Sequence, residues 1–169
     1  MDKRWRALRI RNWQPQDRDQ AAGVIQQVLQ EYGLAWEPQA ADRDVLEVET
    51  AYEQIGGEFW VVEQADTLVG TAAYYPVARG EGAVEIRKMY LLPQVRGQGL
   101  GRWLLQQLEA AVAQQGYQQI WIETATVLQA AVYLYEGSGY EPATGVETQR
   151  CDRIYTKHLG ALELEHRVL

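Results

Sequence analysis

The sequence has 169 residues, of which 47% are hydrophobic, and its formal net charge is −7. This length suits one domain with a sizeable core, and the hydrophobic fraction excludes a disordered chain. The acidic excess argues against a general binder of nucleic acid or anionic membranes, because such proteins need surplus Lys and Arg. Cys151 is the only cysteine, and the basic N-terminus lacks the apolar core of a signal peptide, so we expect a cytoplasmic protein.

The first half of the chain predicts one strand, two helices and a hairpin. A strand is expected over residues 6–13, and apolar residues at helical spacing then predict a helix that ends near Gly33. A second apolar stripe predicts a helix from about Asp42 to the glycine pair at 56–57. The segments FWVVE (59–63) and LVGTAAYY (68–75) are typical of two hairpin strands.

The second half predicts a different alternation of strands and helices. Strands are expected over 84–92, 117–125, 139–142 and 153–159, and helices over 99–116 and 129–138. The resulting order is typical of an α+β or mixed α/β fold. We therefore expect one domain over residues 1–160 and a weakly patterned C-terminal tail over 161–169.

The stretch QVRGQGLGR (94–102) places three glycines at the start of a predicted helix. Each glycine within a helix lowers helix stability by about 1 kcal/mol relative to alanine. These glycines must therefore serve a purpose other than helix stability. Successive N–H groups at a helix N-terminus can surround a phosphate. Arg87, Lys88, Arg96 and Arg102 add positive charge nearby, which on an acidic protein suits one phosphorylated ligand.

Two well-known phosphate motifs fit this stretch poorly. A P-loop needs a lysine and a hydroxyl residue after its last glycine, whereas Gly101 is followed by Arg102. A dinucleotide-binding fingerprint needs its third glycine at position 102. Glu123 lies about where such a fingerprint has its acidic residue, but the preceding hairpin does not fit a doubly wound sheet.

The remaining pattern is Arg96, Gln98, Gly99 and Gly101, preceded by YLLP and followed by LYEGSGYEP (134–142). These motifs resemble the GCN5-related N-acetyltransferase (GNAT) family, and the resemblance extends from the first strand to Leu159. It implies a GNAT-like single domain with a central mixed sheet of about six to seven strands flanked by about four helices. It also implies acetyl-CoA as the co-substrate, and no metal.

The resemblance further implies which residues hold the coenzyme. A splayed strand would pair its backbone with the pantetheine arm, and the glycine stretch would bind the pyrophosphate. The coenzyme-binding residues so implied are Met89, Tyr90, Leu91, Arg96, Gly97, Gln98, Gly99, Leu100, Gly101 and Arg102. A backbone N–H near Tyr90 or Leu91 could also stabilise an oxyanion. The alternative for residues 89–91 is a buried strand, and both interpretations can hold together.

Three side chains are candidates for the chemistry. Glu85 is the first choice for the base that deprotonates the amine, because the histone-acetyltransferase branch of the family carries its glutamate there, and Glu123 is the second. Tyr135 occupies the tyrosine position of the second motif, which implies a proton donor to the coenzyme thiolate. One departure is Leu128, where the family often has an asparagine. Each glutamate could instead be a structural carboxylate, and Tyr135 could instead be a tyrosine packed in the core.

The predicted function is an acetyl-CoA-dependent N-acetyltransferase that acts on a primary amine by direct transfer. The alternative is a catalytically weak module that binds acyl-CoA. The expected partners are a small-molecule or peptide amine and, as an option left open, a second copy in a homodimer, with neither nucleic acid nor membrane. The acceptor site is expected to be lined by GLAWEPQAA (33–41), by the strand that contains Tyr74 and Tyr75, and by the connection before Arg153. His158 and His166 lack metal-ligand spacing.

Overall fold

The structure is a computed structural model that describes residues 1–160, so the predicted tail over 161–169 lies outside the described residues. The strands are β1 (Asp2–Trp5), β2 (Leu8–Asn12), β3 (Glu58–Gln64), β4 (Thr67–Pro76), β5 (Ala83–Leu91), β6 (Gln119–Thr124), β7 (Glu141–Pro142) and β8 (Arg153–His158). The helices are α1 (Arg18–Glu31), α2 (Arg43–Leu46), α3 (Val48–Ala51), α4 (Leu100–Gln114) and α5 (Gln129–Glu136).

The eight described strands form one sheet in the order β1-β2-β3-β4-β5-β6-β8-β7. Strands β5 and β6 are parallel, whereas β6 and β8 are antiparallel. A mixed sheet with helices confirms the predicted α+β class. Its strand count is slightly higher than the six to seven expected.

The additional strand is β1, which has no apolar pattern in the sequence. Its residues are largely exposed, and it forms by antiparallel pairing with β2, in which Arg4 lies opposite Arg9. Arg9 also donates to the Asp2 carboxylate at 2.7 Å. Because an exposed edge strand needs no buried face, alternation of hydrophobic residues could not predict it.

The second predicted helix is divided into α2, α3 and a 3-10 turn over Glu53–Ile55. The break falls at Glu47, whose φ of −127° and ψ of 43° are not helical. The predicted apolar stripe is correct for Val45, Val48 and Tyr52, which are fully buried, but wrong for Ile55, which is 47% exposed. Burial was therefore predicted correctly for α2 and α3, whereas the continuity of the helix and the burial of its last turn were not.

The chain divides into two compact units. The first unit consists of Met1–Ala73 and Lys88–Leu100, and the described part of the second unit consists of Tyr74–Arg87 and residues 101–160. In the first unit, the core includes Tyr52 and Phe59, whose rings meet edge to face at 5.3 Å. Burying each such ring contributes about 1.5–3 kcal/mol.

In the second unit, the core is built on α4. Its apolar side chains Leu104, Leu105, Leu108 and Val112 are at most 1% exposed, as their helical spacing predicts. The helix is followed by Gly116, whose φ of 90° suits glycine and whose N–H bonds the Ala113 carbonyl.

Candidate active site

In the second unit, pairing of neighbouring strands assembles a polar face. The register places Glu85 of β5 opposite Trp121 of β6, and Trp121 opposite Thr156 of β8. Side chains two residues apart on a strand share a face, so Arg87 and Glu123 belong to the same face. Both glutamates proposed from the sequence are therefore brought to one face of adjacent strands.

Glu85 is a buried carboxylate with incomplete charge compensation. Its Oε1 lies 3.3 Å from Arg87 Nε, and the residue is 6% exposed. Burial raises the pKa of Glu85 to about 7, the Arg87 charge opposes this rise, and the Glu123 charge adds to it. A carboxylate that titrates near neutral pH has the property required of a general base.

Arg87 is held by an aromatic partner as well as by Glu85. Its Nη1 donates to the Tyr75 hydroxyl at 3.0 Å, and its guanidinium carbon lies 5.2 Å from the centre of the Tyr75 ring. A cation over a tyrosine ring is stabilised by the ring quadrupole. The guanidinium is therefore positioned by β4 as well as by its own strand.

Glu123 has a different environment, because several donors surround its carboxylate. Its Oε1 accepts from Arg79 Nη2 at 3.0 Å and from the Glu147 N–H at 2.7 Å, and its Oε2 accepts from the Thr148 N–H at 2.9 Å. The side chain is 3% exposed. Such hydrogen bonds occupy the oxygens of Glu123 and organise the connection before β8, which consists of residues 143–152.

Arg79 is a site residue that the sequence did not single out. Its guanidinium carbon lies 5.3 Å from the Trp121 ring centre, and Nη2 also donates to the Gly145 carbonyl at 2.9 Å. The contact with Glu123 spans 44 residues of sequence. No local pattern signals a pairing at that distance, so only the tertiary structure could reveal it.

Cys151 lies in the same connection, and its thiol is not activated. It is a free cysteine, and burial raises its pKa to about 11, with a smaller contribution from the Glu123 charge. Since the thiolate is the nucleophile, such a thiol is unreactive at neutral pH. This environment disfavours a route through an acylated cysteine.

Tyr135 lies in an aromatic cluster of the second unit. It is 4% exposed, and its ring centre lies 6.0 Å from that of Tyr140 and 6.2 Å from that of Tyr155. On the same helix, Tyr133 is 71% exposed. The two tyrosines of α5 therefore differ, because Tyr135 packs inside the unit and Tyr133 is exposed to solvent.

The glycine stretch of the first unit forms an exposed loop before α4. Gly97 and Gly99 have φ values of 71° and 90°, and a Cβ on either would meet nothing within 4 Å. Residues 97–99 are exposed, and the helix begins at Leu100. Open backbone of this kind at the N-terminus of a long helix fits the approach of a phosphate.

The Arg96 side chain is committed to protein contacts within the first unit. Its Nη1 and Nη2 each donate to the Glu31 carboxylate at 2.8 Å, and its Nε donates to the Leu91 carbonyl at 2.7 Å. Its backbone N–H bonds the Pro93 carbonyl at 3.2 Å. The Arg96 side chain therefore stabilises the glycine loop through contacts with α1 and the end of β5.

The other residues expected at the coenzyme lie at the end of β5 and in the first turn of α4. Residues 89–91 end β5 and are partly buried, and the Leu92 N–H bonds the Val69 carbonyl at 2.9 Å. In the second unit, Gly101 and the exposed Arg102 lie in the first turn of α4. Among residues 1–160, no group of three or more His, Cys, Asp and Glu side chains is arranged to hold a metal ion.

Comparisons with known proteins agree with this architecture. A sequence model described as the Acetyltransferase (GNAT) family matches residues 25–140. A protein of Escherichia coli K12 named uncharacterized N-acetyltransferase YjgM is 36% identical over 129 residues, which are 75% of this chain and 77% of that protein.

Solved structures share the fold at lower sequence identity. A GNAT-family acetyltransferase from Staphylococcus aureus Mu50 superposes with a TM-score of 0.84 at 18% identity, covering 91% of this chain and all of that one. The acetyltransferase yncA of Salmonella typhimurium, solved with acetyl-CoA, has a TM-score of 0.72 at 20% identity, covering 92% and 95% of the two chains.

The chain belongs to the acetyltransferase (GNAT) family, and by class it is an N-acyltransferase. The motifs around the glycine stretch and LYEGSGYEP therefore identified the family correctly. Within residues 1–160, no helix combines the length and the apolar character that a membrane span requires.

Proposed function

We propose that the protein transfers an acetyl group from acetyl-CoA to a primary amine by direct transfer, with Glu85 as the general base. The observation that carries the proposal is the burial of Glu85 beside a single arginine contact at 3.3 Å, with a pKa of about 7. A base with this pKa is largely ionised just above neutral pH and still accepts a proton readily.

The chemistry requires two proton movements. Acetyl-CoA supplies a thioester whose carbonyl carbon forms a C–N bond with the amine while its C–S bond breaks. Glu85 accepts the proton that the amine nitrogen loses, directly or through a water molecule. The Tyr135 hydroxyl returns a proton to the leaving thiolate, because a phenolic O–H is a hydrogen-bond donor that can act as a general acid.

The assignment of the base to Glu85 instead of Glu123 rests on their different hydrogen bonding. Glu123 accepts three hydrogen bonds, which occupy both of its carboxylate oxygens and tie it to Arg79 and to the backbone of residues 147 and 148. Among residues 1–160, no backbone N–H donates a hydrogen bond to the Glu85 carboxylate, and burial disfavours its charge. We therefore assign proton transfer to Glu85 and a structural role to Glu123.

The proposed coenzyme contacts follow from the exposed loop. The N–H groups of residues 97–101 would hold the pyrophosphate, and the backbone of residues 89–91 would pair with the pantetheine arm. The guanidinium of Arg96 would support this loop through its contacts with Glu31 and the Leu91 carbonyl. The amine acceptor is proposed to be a small molecule or a peptide.

The test is release of free CoA thiol from acetyl-CoA in the presence of a panel of small-molecule and peptide amines. Acceleration above background hydrolysis, with the acetylated amine identified by mass, would support the transferase. If no amine accelerates release while calorimetry still detects acetyl-CoA binding, the protein is instead a catalytically weak acyl-CoA-binding module.

A further inference from the structure

Lys88 adopts an unusual backbone conformation in the middle of β5. Its φ is 51°, in the left-handed region that side chains with a Cβ rarely enter. The other described non-glycine residues with positive φ, which are Arg6, Ala65 and Asp66, lie in turns. A strained residue inside a strand persists only when its surroundings fix it.

The surroundings of Lys88 are a buried ionic cluster within the first unit. Its Nζ lies 2.7 Å from Asp42 Oδ1, 2.7 Å from the Ala41 carbonyl oxygen and 3.3 Å from Asp44 Oδ1. The side chains of Lys88 and Asp42 are 2% and 0% exposed. The backbone is held too, because the Thr71 hydroxyl donates to the Lys88 carbonyl at 2.6 Å.

Asp42 connects this cluster to the segment that precedes α2. Its Oδ2 accepts the Glu37 N–H at 2.9 Å, and its own N–H donates to the Glu37 carbonyl at the same distance. Asp44 in turn accepts a hydrogen bond from the Tyr52 hydroxyl. One ammonium therefore joins the strand to residues 37–44.

A buried ion pair of this kind is better suited to fixing geometry than to adding stability. Apolar residues of similar size often replace buried pairs without loss of stability, whereas removing one partner is strongly destabilising. A left-handed residue within a strand changes the direction of the backbone groups and side chains that follow it. Here those groups belong to residues 89–91.

We propose that Lys88 is a positioning residue for acetyl-CoA. Its buried pair with Asp42 holds the left-handed turn in β5 and so orients the backbone N–H and C=O groups of residues 89–91 toward the pantetheine arm. The same pair fixes residues 37–42, which overlap the segment expected to line the acceptor site. This inference rests on the proposed function only for the identity of the ligand.

The decisive variant is the double substitution Lys88→Met/Asp42→Asn, which removes both charges of the closest pair, keeps similar volumes and leaves Asp44 its hydrogen bond from the Tyr52 hydroxyl. Asn retains an oxygen that can accept the Glu37 N–H, so the variant should fold. The matched control is Arg11→Met/Asp17→Asn, because that pair also lies in the first unit, meets at 2.7 Å and is largely buried. Thermal unfolding monitors the stability of both variants.

We expect calorimetric titration to show that Lys88→Met/Asp42→Asn binds acetyl-CoA about tenfold more weakly than the wild type. A loss of this size is expected because binding must then restore the strained conformation of one residue. The Arg11→Met/Asp17→Asn control should bind like the wild type. A folded Lys88→Met/Asp42→Asn protein with wild-type affinity would overturn the proposal. Equal weakening in the control would overturn it as well, since it would indicate a general effect of lost stability.

A glycine variant separates the turn from the side chain. Lys88→Gly/Asp42→Asn also removes the pair, but glycine adopts positive φ without strain. We expect its affinity for acetyl-CoA to lie between those of the wild type and Lys88→Met/Asp42→Asn. Affinity lower than that of the Met variant would contradict a role in holding the turn.

Hydrogen exchange of the amides of residues 89–91 provides a readout without coenzyme. Exchange should be faster in Lys88→Met/Asp42→Asn than in the wild type or the control. If the wild type fails to bind acetyl-CoA, the proposed function is contradicted, and this measurement still decides whether Lys88 holds the strand. Unchanged exchange in the Met variant would reject that role.

Discussion

Glu85 and Lys88 lie on the same strand and are 6% and 5% exposed, but their charges are compensated to different extents. The Lys88 ammonium has a carboxylate and a carbonyl oxygen at 2.7 Å and a second carboxylate at 3.3 Å. Glu85 has an arginine nitrogen at 3.3 Å. A closely surrounded charge such as that of Lys88 is suited to fixing geometry, whereas the incompletely compensated carboxylate of Glu85 titrates near neutral pH.

The largest effect is expected from Glu85→Gln on turnover. General bases contribute roughly 10²- to 10⁴-fold, so turnover above pH 7 should fall by about that factor while acetyl-CoA affinity stays nearly unchanged. Wild-type turnover should rise with pH through about 7, where Glu85 ionises, and this rise should be absent in the variant.

Glu123→Gln is the control for this assignment. It should disturb the connection organised through the Glu147 and Thr148 N–H groups and weaken acceptor binding, but keep the rise of turnover with pH. Steady-state kinetics across pH 5–9 distinguish the two variants. If the rise of turnover with pH is lost in Glu123→Gln and kept in Glu85→Gln, then Glu123 of β6 is the base.

Lys88→Met alone should greatly lower the free energy of unfolding. It leaves the fully buried Asp42 carboxylate without its ammonium, and breaking a buried pair typically costs about 3–5 kcal/mol. The double substitution Lys88→Met/Asp42→Asn should recover much of this loss. Urea unfolding at pH 7 measures both values, and equal stability of the single and double variants would show that Asp42 needs no cation.

Glu85 should reduce stability where it is ionised. Because its pKa of about 7 exceeds the ordinary value of 4.5, the folded protein binds more protons than the unfolded chain between these values. The free energy of unfolding therefore falls as pH rises from about 4.5 to 7. The full difference corresponds to about 3 kcal/mol, and the opposing effect of the Arg87 charge is already contained in the pKa of about 7.

Glu85→Gln removes that titration, so the variant should become more stable relative to the wild type as pH rises from 5 to 8. Urea unfolding at pH 5, 6.5 and 8 measures the trend. A stability difference that does not change with pH would mean that the carboxylate is not perturbed by burial, and the contrast with Lys88 would be lost.

Gly99→Val tests the exposed loop, with Gly33→Val as its matched control. Both glycines have positive φ and open space where a Cβ would stand, so both variants should lose about 1–2 kcal/mol of stability. Only Gly99→Val should weaken acetyl-CoA binding, by about tenfold, if the loop holds the pyrophosphate. Unchanged affinity in folded Gly99→Val, measured by calorimetry, would remove the loop from the coenzyme site.

The smallest change in stability is expected from Tyr135→Phe, because the ring that packs against Tyr140 and Tyr155 is kept. Turnover should fall with slow amines, and the loss should shrink with activated acyl donors whose leaving groups need no proton. Equal losses with both donor types would indicate that the hydroxyl positions the coenzyme. An unchanged turnover would leave Tyr135 as a core residue.

Much of the fold was predictable because its signals are local. The spacing of Leu104, Leu108 and Val112 predicted α4 within about two residues at each end, and the motifs predicted the family. The edge strand β1 and the break at Glu47 were not predictable. The first depends on pairing with β2, and the second on backbone dihedrals that an apolar stripe does not encode.

The sequence by itself determined the class of the protein, because motif spacing along one strand, loop and helix is a local property. It also named Tyr135 and ranked Glu85 ahead of Glu123, but only from the family resemblance and not from a difference in their surroundings. Their difference arises only when Arg79 and the connection before β8 are brought to Glu123 across the sheet. The tertiary structure likewise decided the role of Lys88, since a buried ammonium is defined by the carboxylates that folding places around it.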